Sequence, residues 1–527
     1  MLTTVSVRNT GRAERDAHAA DEGLASLLGP RKGPIVAALW EVIDQCAWVC
    51  SATLAGSFLH GQGLEGISDI DLVLVVDRLN TERFEALQAA FHAALAPVLK
   101  QEGYALRINP TLGPLKFNDP DTAVLHLMVY SQQAHVNHVV ESPFTCFDWQ
   151  RSAVHRKRAL ADVYPVFGLQ PHHFLGARRS AGEYLRDYRA RIVSYRELQT
   201  TADGYREVCC EKPMSLRDRH EFAYHIMRFL MRNLLKLVNH DNDAPDGRSL
   251  LDGYFALFPA DAREFGRLYE DLAQKKRALD FQEELAGLDE RLEGFVNAFG
   301  LQFRRVFLED ATRHIVFRHA PTELNQGEGR EVAFLGRSDP SIFAGEPEGL
   351  SAVAEAVRQI EPRTAWVSPL RRCRESLALL GQSVQLPRAE TDPRLVEIDY
   401  GACERLTVKQ AQAAHPELFA AWQRGEDPPF PNGEATCDVL RRATSFVAEH
   451  WAEGSGNTVA CTHNVVLRCL VGAALGVPAQ SWHRLRIPHM QPICFVQTRN
   501  HGWFVDLDPD VERSLFAGFR PEEQACN

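Results

Sequence analysis

The sequence predicts a multidomain α/β protein, and two observations support this expectation. The chain has 527 residues, more than one hydrophobic core normally holds, so two or three domains are expected. Short branched apolar runs alternate with helical periodicity near both ends of the chain, whereas the middle shows long helical periodicity and few strand patterns. We predict a flexible lead-in over residues 1–32, a mixed α/β domain over 33–165, an all-helical domain over 166–308 and a largely parallel α/β domain over 309–527.

The first domain is predicted from short segments of alternating type. Apolar residues with helical spacing run over 34–46 and 81–99, and strand-like runs cover 53–55, 70–76, 105–108 and 124–130. The segment 70–76 (IDLVLVV) is the strongest strand signal, because it is continuous, branched and apolar. The first thirty or so residues of the chain are polar, alanine-rich and only weakly periodic, which is why a loose lead-in is expected there.

The other two domains differ clearly in pattern. Long helical periodicity over 217–239 and 280–299 predicts an all-helical middle. Strand-like runs at 314–317, 365–367 and 458–461 then alternate with helices that begin near residues 352 and 465. Strands that alternate with helices are typical of βαβ units and a largely parallel sheet.

Composition narrows the class of protein. Apolar residues make up 45% and charged residues 24% of the chain, as in a globular protein. The net charge of −11 disfavours nucleic acid as a partner. We expect no membrane helix, because no apolar run approaches about 20 residues, and no secretory signal. The twelve cysteines contain no C-x-x-C pair, so thiols in a reducing cytoplasm are expected.

Four short segments of the last domain carry the side chains of a reactive site. They are RHAPT at 318–322, SPLRR at 368–372, LVE at 395–397 with Gly401 and Glu404 after it, and THN at 462–464. Three of them directly follow predicted strands, and ligands of open α/β sheets bind beyond the carboxyl ends of the strands. Arginine matches phosphate oxygens bidentately, and a neutral imidazole can attack phosphorus. A carboxylic acid would then protonate the leaving oxygen.

Together and in this order, the four segments resemble the histidine phosphatase (phosphoglycerate-mutase-like) superfamily, whose motifs are R-H-G-x-T, S-P-L-x-R, L-x-E with G-x-x-E, and S-H-G. The resemblance covers about residues 314–507. It implies a phosphomonoesterase that needs no cofactor and acts on a small phosphorylated metabolite. Ala320, Asn464 and Arg405 depart from glycines of the family motifs, but none of these changes removes a reactive group.

The resemblance also implies roles for individual residues. His319 would be the phosphorylated nucleophile and Glu397 the proton donor. The remaining site residues would hold the phosphate or line the pocket: Arg318, Arg372 and His463 for the phosphate, and Thr322 and Asn325 for the pocket. Spacing alone does not separate Arg371 from Arg372, and the family motif favours Arg372.

A second constellation lies in the first domain. Gly56-Ser57 is followed, after a loop, by Asp69-Ile70-Asp71, and alternation along a strand places both aspartates on one face. Two carboxylates can hold Mg²⁺ together with a nucleoside triphosphate, and a Gly-Ser turn offers amide and hydroxyl donors to phosphates. The pattern resembles the nucleotidyltransferase (polymerase-β-like) superfamily. It implies Asp69 and Asp71 as Mg²⁺ ligands, and Gly56 and Ser57 as substrate-binding residues.

One departure leaves the activity of this domain open. The family usually has a third carboxylate on a later strand, where this sequence has His126. Either His126 serves as the base, or Asp119 or Asp121 does, or the strand register differs, or transfer has been lost. The first hypothesis is therefore a bifunctional enzyme that also transfers a nucleotidyl group to a small acceptor. The alternative is a phosphatase whose N-terminal half is an inactive nucleotide-binding regulatory module.

Overall fold

The structure is a computed structural model that describes residues 10–59, 69–112, 121–176, 181–201, 204–239, 248–278, 280–324, 333–452, 454–499 and 502–519. Within these residues the strands form three sheets, of five, two and six strands. No helix in these ranges combines the length and the apolar character that crossing a membrane requires. Among the described residues, ten cysteines are free thiols, whereas Cys50 is disulfide-bonded, which differs from the expectation of thiols throughout.

The five-stranded sheet belongs to the N-terminal part of the chain. Its elements are α1 (Thr10–Gln45), β1 (Val49–Ala55), β2 (Asp69–Val76), α2 (Thr81–Gln101), β3 (Ala105–Ile108), β4 (Thr122–Ser131), α3 (Gln132–Glu141), α4 (Pro143–Gln150), β5 (His155–Lys157) and α5 (Leu160–Val163). The strand order is β3-β4-β2-β1-β5. Strand β4 runs parallel to β2 and β3, and β1 runs antiparallel to β2 and β5.

The central strand β2 explains why its sequence is continuously apolar. Leu72 and Leu74 face one buried cluster, whereas Val73 and Val75 face another on the opposite side of the sheet. Side chains alternate between the two faces of a strand, and both faces of β2 are covered. The run therefore has no polar positions beyond Asp71.

The expected flexible lead-in is wrong from Thr10 onward, because α1 begins there. Alanine and long charged residues are good helix formers even where periodicity is weak. Gly29 has a φ of 79° and interrupts the helical backbone before Pro30. Leu28 and Ile35, on either side of this kink, are buried in the core of the first sheet.

The prediction of an all-helical middle is wrong, because two strands lie among its helices. Its elements are α6 (Pro171–Gly176), α7 (Ala181–Ala190), β6 (Ile192–Thr201), β7 (Gly204–Pro213), α8 (Leu216–Asn239), α9 (Arg248–Leu257), α10 (Arg267–Ala278) and α11 (Leu288–Phe307). Strands β6 and β7 form an antiparallel hairpin. Charged residues mask its strand pattern, and the first sheet supports it: Arg196 donates to the Leu112 carbonyl at 2.9 Å and lies 4.5 Å from the ring centre of Tyr130.

The six-stranded sheet belongs to the C-terminal part. Its elements are β8 (Thr312–Arg318), α12 (Leu350–Ile360), β9 (Thr364–Val367), α13 (Arg371–Leu380), β10 (Ala389–Thr391), α14 (Val408–Ala414), α15 (Pro416–Gln423), α16 (Thr436–His450), β11 (Thr458–Thr462), α17 (Asn464–Ala474), β12 (Pro492–Thr498), β13 (Gly502–Asp506) and α18 (Pro509–Leu515). The order is β10-β9-β11-β8-β12-β13. Strands β10, β9, β11 and β8 pair in parallel, whereas β12 pairs antiparallel with β8 and with β13. The sheet is therefore mixed, and the predicted parallel pairing holds for four of its six strands.

The N-terminal and C-terminal parts pack directly on each other. Val136 and Val139 of α3 lie in the same buried cluster as Leu470 of α17. The start of the middle part also contacts the C-terminal part: the Gly168 amide donates to the Leu475 carbonyl at 2.6 Å, and His173 Nε2 lies 3.2 Å from Glu512 Oε1.

Candidate active site

The parallel strands β8, β9 and β11 end at the same edge of the six-stranded sheet. Arg318 is the last residue of β8, and His319, Ser368 and His463 come directly after β8, β9 and β11. Two backbone hydrogen bonds fix these ends: the His319 amide donates to the Thr462 carbonyl at 3.0 Å, and the Ser368 amide to the Cys461 carbonyl at 3.1 Å. The two histidine rings consequently lie 5.2 Å apart, centre to centre.

His319 is buried, with 3% of its surface exposed. Its Nδ1 lies 2.7 Å from the Ala320 carbonyl, which can only accept, so Nδ1 carries the proton and Nε2 the lone pair. Arg372 Nε donates to this Nε2 at 3.2 Å. Burial, and then the charges of Arg318 and Arg372, hold the pKa of His319 well below its usual value. The ring is therefore neutral at physiological pH.

Two arginines border the His319 ring. Arg372 of α13 is fully buried and donates to the carbonyls of Ser338 at 2.5 Å and Gly336 at 2.9 Å. Arg318 donates from Nη1 to the Ile487 carbonyl at 2.9 Å, and its buried Nε has no hydrogen-bond partner within the described residues. Burial lowers the pKa of Arg318 to about 10, so it stays charged at neutral pH.

Arg371 points away from this cluster. Its Nε lies 2.6 Å from Glu375 Oε1, and more than half of its side chain is exposed. Of the two arginines that spacing alone could not separate, Arg372 is the one that contacts His319.

His463 and Glu397 complete the wall of the cluster. His463 is fully buried, its Nε2 lies 2.7 Å from Ser368 Oγ, and burial followed by the charge of Arg372 lowers its pKa well below the usual value. Glu397 is buried too. Its Oε1 accepts from the Ile398 amide at 3.0 Å and from the Val465 amide, in the first turn of α17, at 3.1 Å.

The structure describes one of the two residues that were expected to line the pocket. Thr322 is buried and pairs with Ile342 in an isolated β-bridge. Asn325 lies outside the described residues.

Two further residues of this site had no assigned role in the sequence. Glu404 accepts hydrogen bonds from the backbone amides of Gly336, Arg337 and Ser338 at 3.0 to 3.3 Å. The same loop offers its carbonyls to Arg372, so Glu404 positions that arginine indirectly. A Cβ at Gly336 would overlap the Ile398 carbonyl, so this close approach requires glycine. The G-x-x-E spacing pointed to Glu404 without giving its purpose.

His489 was missed entirely. It lies in the loop before β12, and no motif surrounds it. Its ring centre is 5.2 Å from that of His319, and its Nδ1 is 2.7 Å from the His319 carbonyl.

In the N-terminal sheet, Asp71 of β2 lies opposite His126 of β4 in the parallel register. His126 Nδ1 is 3.0 Å from Asp71 Oδ1, and Nε2 is 3.9 Å from Asp69 Oδ1. His126 is thus the group that lies beside both aspartates. Asp121 is exposed at the start of β4, and Asp119 lies outside the described residues.

The aspartates face a large cleft. It has a volume of about 1310 Å³ and is lined by residues of the first sheet, the β6–β7 hairpin and α8, with Gly56, Ser57, Asp69 and Asp71 along one wall. Gly56 has a φ of 74°, and a Cβ there would overlap the Asp71 carboxylate, so glycine is required. Across the part of the chain that the structure describes, no three or more His, Cys, Asp or Glu side chains form a group that could hold a metal.

The C-terminal part of the chain is therefore an α/β domain with a cluster of arginine and histidine side chains at the ends of its parallel strands. Residues 314–508 match the Histidine phosphatase superfamily (branch 1), which supports the resemblance predicted from the motifs of this region. No comparison shows a nucleotidyltransferase domain in the N-terminal part.

Curated relatives of the C-terminal region support a phosphatase. It is 30% identical to 6-phosphofructo-2-kinase/fructose-2,6-bisphosphatase of Gallus gallus, over 32% of this chain and 34% of the relative. It is 28% identical to phosphoserine phosphatase 1 of Hydrogenobacter thermophilus, over 31% of this chain and 76% of the relative. The chain thus spans about a third of the length of the first relative.

One solved structure is similar to part of the chain. Mycobacterial glucosyl-3-phosphoglycerate phosphatase is 24% identical, with a TM-score of 0.32, over 37% of this chain and 98% of that chain.

Proposed function

We propose that the C-terminal domain is a phosphomonoesterase that acts through a phosphohistidine at His319 on a small phosphorylated metabolite. The single observation that carries this proposal is the neutral His319 ring, whose Nε2 lone pair faces the Arg372 guanidinium at 3.2 Å. Proton donation from Nδ1 to the Ala320 carbonyl fixes the tautomer that can attack phosphorus. Both curated relatives named above act, by their names, on small phosphorylated metabolites.

In the proposed reaction, His319 Nε2 forms a bond to phosphorus while the bond to the leaving oxygen breaks. Arg318, Arg372 and His463 hold the phosphoryl oxygens and stabilise their charge in the transition state. Glu397 gives a proton to the leaving oxygen, and a water molecule then cleaves the phosphohistidine to release phosphate. A screen of phosphorylated metabolites for phosphate release tests the proposal. Failure to hydrolyse any of them, p-nitrophenyl phosphate included, would count against it.

Glu397→Gln should slow hydrolysis most for substrates with poor leaving groups. The amide cannot give up a proton, and a general acid contributes about 10²- to 10⁴-fold where the leaving oxygen needs one. We expect a loss in this range for an alkyl phosphate and a much smaller loss for p-nitrophenyl phosphate, compared through kcat/KM. Glu390→Gln, exposed on β10, is the matched control. Equal losses on both substrates would show that Glu397 is not the donor.

Phosphate release should survive EDTA, because Arg318 and Arg372 supply the positive charge at the phosphoryl group. We expect the rate to change less than about twofold after chelation, whereas any release of pyrophosphate should stop, since triphosphate chemistry needs Mg²⁺. Both expectations are checked by initial rates of phosphate and pyrophosphate release, measured with and without EDTA and after Mg²⁺ is added back. Loss of phosphate release that metal restores would overturn the metal-independent mechanism.

We further propose that the N-terminal half transfers a nucleotidyl group from a nucleoside triphosphate to a small acceptor and releases pyrophosphate. This proposal is supported by the cleft of about 1310 Å³ that Asp69 and Asp71 share with Gly56 and Ser57. Mg²⁺ is often held by only one or two carboxylates plus substrate phosphates, so these two aspartates fit it as ligands. When bound, Mg²⁺ would neutralise charge on the phosphates.

The alternative is that this half binds nucleotide without transferring it. The observation that favours it is His126, which lies between Asp69 and Asp71 where a third carboxylate would be expected. Nucleotide Kd values with and without Mg²⁺, measured beside a pyrophosphate-release assay, separate the two proposals. Binding without release favours the regulatory module. The domain boundaries after residues 165 and 308 are likewise part of our proposal.

A further inference from the structure

We propose that His489 is a specificity-determining residue of the C-terminal site, and that it selects phosphomonoesters with a hydroxyl or ammonium group close to the esterified carbon. This inference rests on the proposed phosphatase function and deepens it, since it names the chemical class of the substrate. It follows from the tautomer of His489, from its position beside His319 and from the chemistry of its neighbours.

The tautomer follows from one hydrogen bond. His489 Nδ1 lies 2.7 Å from the backbone carbonyl of His319, and a carbonyl oxygen can only accept, so Nδ1 carries the proton. Burial, and then the charge of Arg318, lowers the pKa of His489 to about 4. The ring is neutral at physiological pH, and its Nε2 is therefore a hydrogen-bond acceptor.

The position of the ring is fixed by the same loop that binds Arg318. The Ile487 carbonyl accepts from Arg318 Nη1, and the Met490 amide donates to the Arg318 carbonyl at 3.0 Å. These contacts hold the His489 ring 5.2 Å from the ring of His319. His489 is only partly buried, so its free edge is open to a ligand. Among the described residues, Nε2 has no hydrogen-bond partner.

The neighbours of His489 indicate which part of a substrate its Nε2 acceptor would bind. Arg318 and Arg372 present donors and positive charge to the phosphoryl oxygens, which only accept in the dianion. A lone pair at His489 Nε2 would repel those oxygens, so it does not match the phosphoryl group. It matches a donor on the organic part of the substrate, which a hydroxyl or an ammonium group supplies. A site built to bond such a donor rejects the analogue that lacks it.

The test compares 2-hydroxyethyl, 2-aminoethyl and propyl phosphate, which have similar size and leaving groups. The wild-type protein should favour at least one of the donor-bearing esters over propyl phosphate by about 3- to 10-fold in kcat/KM, the range for one neutral hydrogen bond. The two donor-bearing esters distinguish a hydroxyl from an ammonium ligand. His489→Asn can still donate to the His319 carbonyl but lacks the ε acceptor, so this preference should fall to about one.

The control is His483→Asn, an exposed histidine of the preceding helical turn, which should keep the wild-type ratio. Equal loss of all three substrates in His489→Asn would overturn the inference, because a merely structural role lowers every rate together. So would a wild-type protein that hydrolyses the three esters equally well. Absence of hydrolysis of every ester, and of p-nitrophenyl phosphate, would instead count against the phosphatase proposal itself.

Discussion

Replacing His319 by alanine should abolish the release of phosphate from phosphomonoesters, by about 10⁴-fold or more in kcat. The imidazole is the proposed nucleophile, and without it the covalent route through a phosphohistidine does not exist. Arg318 and Arg372 would still bind the phosphate but would have no atom to transfer it to. Steady-state rates, and acid-labile labelling of the protein by a ³²P-substrate, measure both effects.

His319 is buried, so the alanine variant could lose stability as well as activity. His319→Asn keeps an amide that can donate to the Ala320 carbonyl, and it should be equally inactive while its Tm stays close to that of the wild type. His483→Ala, outside the cluster, should retain full activity. Labelled phosphate found on a histidine other than His319, or substantial activity in the folded Asn variant, would disprove the assignment.

Asp71→Asn should eliminate the release of pyrophosphate from a nucleoside triphosphate. Loss of a residue that only supports a metal ligand costs up to about 100-fold, so loss of a ligand charge should cost at least that much. The change keeps the size of the side chain and its place beside His126, so it tests metal ligation more than packing. Phosphate release by the C-terminal domain should stay at the wild-type rate in the same preparation.

Asp77→Asn is the matched control, because Asp77 lies one residue past β2, is exposed and pairs with Arg83. It should leave pyrophosphate release unchanged. If Asp71 merely accepts a hydrogen bond from His126, asparagine would replace it at little cost. Transfer at the wild-type rate by Asp71→Asn would therefore refute the proposed metal site and favour the alternative regulatory module.

Local pattern was sufficient for most strands and for several long helices of this protein. The run at 70–76 and the strand at 314–317 were predicted because branched apolar residues report burial on a sheet. The β6–β7 hairpin was not predicted, because its strands carry charged residues and depend on contacts such as that between Arg196 and Tyr130. The first part of α1, over residues 10–33, was not predicted for the opposite reason: it has helix-forming residues but little periodicity.

For the C-terminal site, the sequence alone determined which residue types stand after which strands, and so the motif residues His319, Arg372 and His463 could be named. Their convergence was decided by tertiary structure, because the parallel pairing of β8 with β11 places Arg318 opposite Thr462. Only that structure showed that Arg372, which the motif favoured over Arg371, contacts His319; it also gave Glu404 its purpose and brought His489 to His319. Strand and helix preferences are local and can be read from neighbouring residues. Side-chain contacts between distant segments depend on sheet register and packing, which no short stretch of sequence encodes.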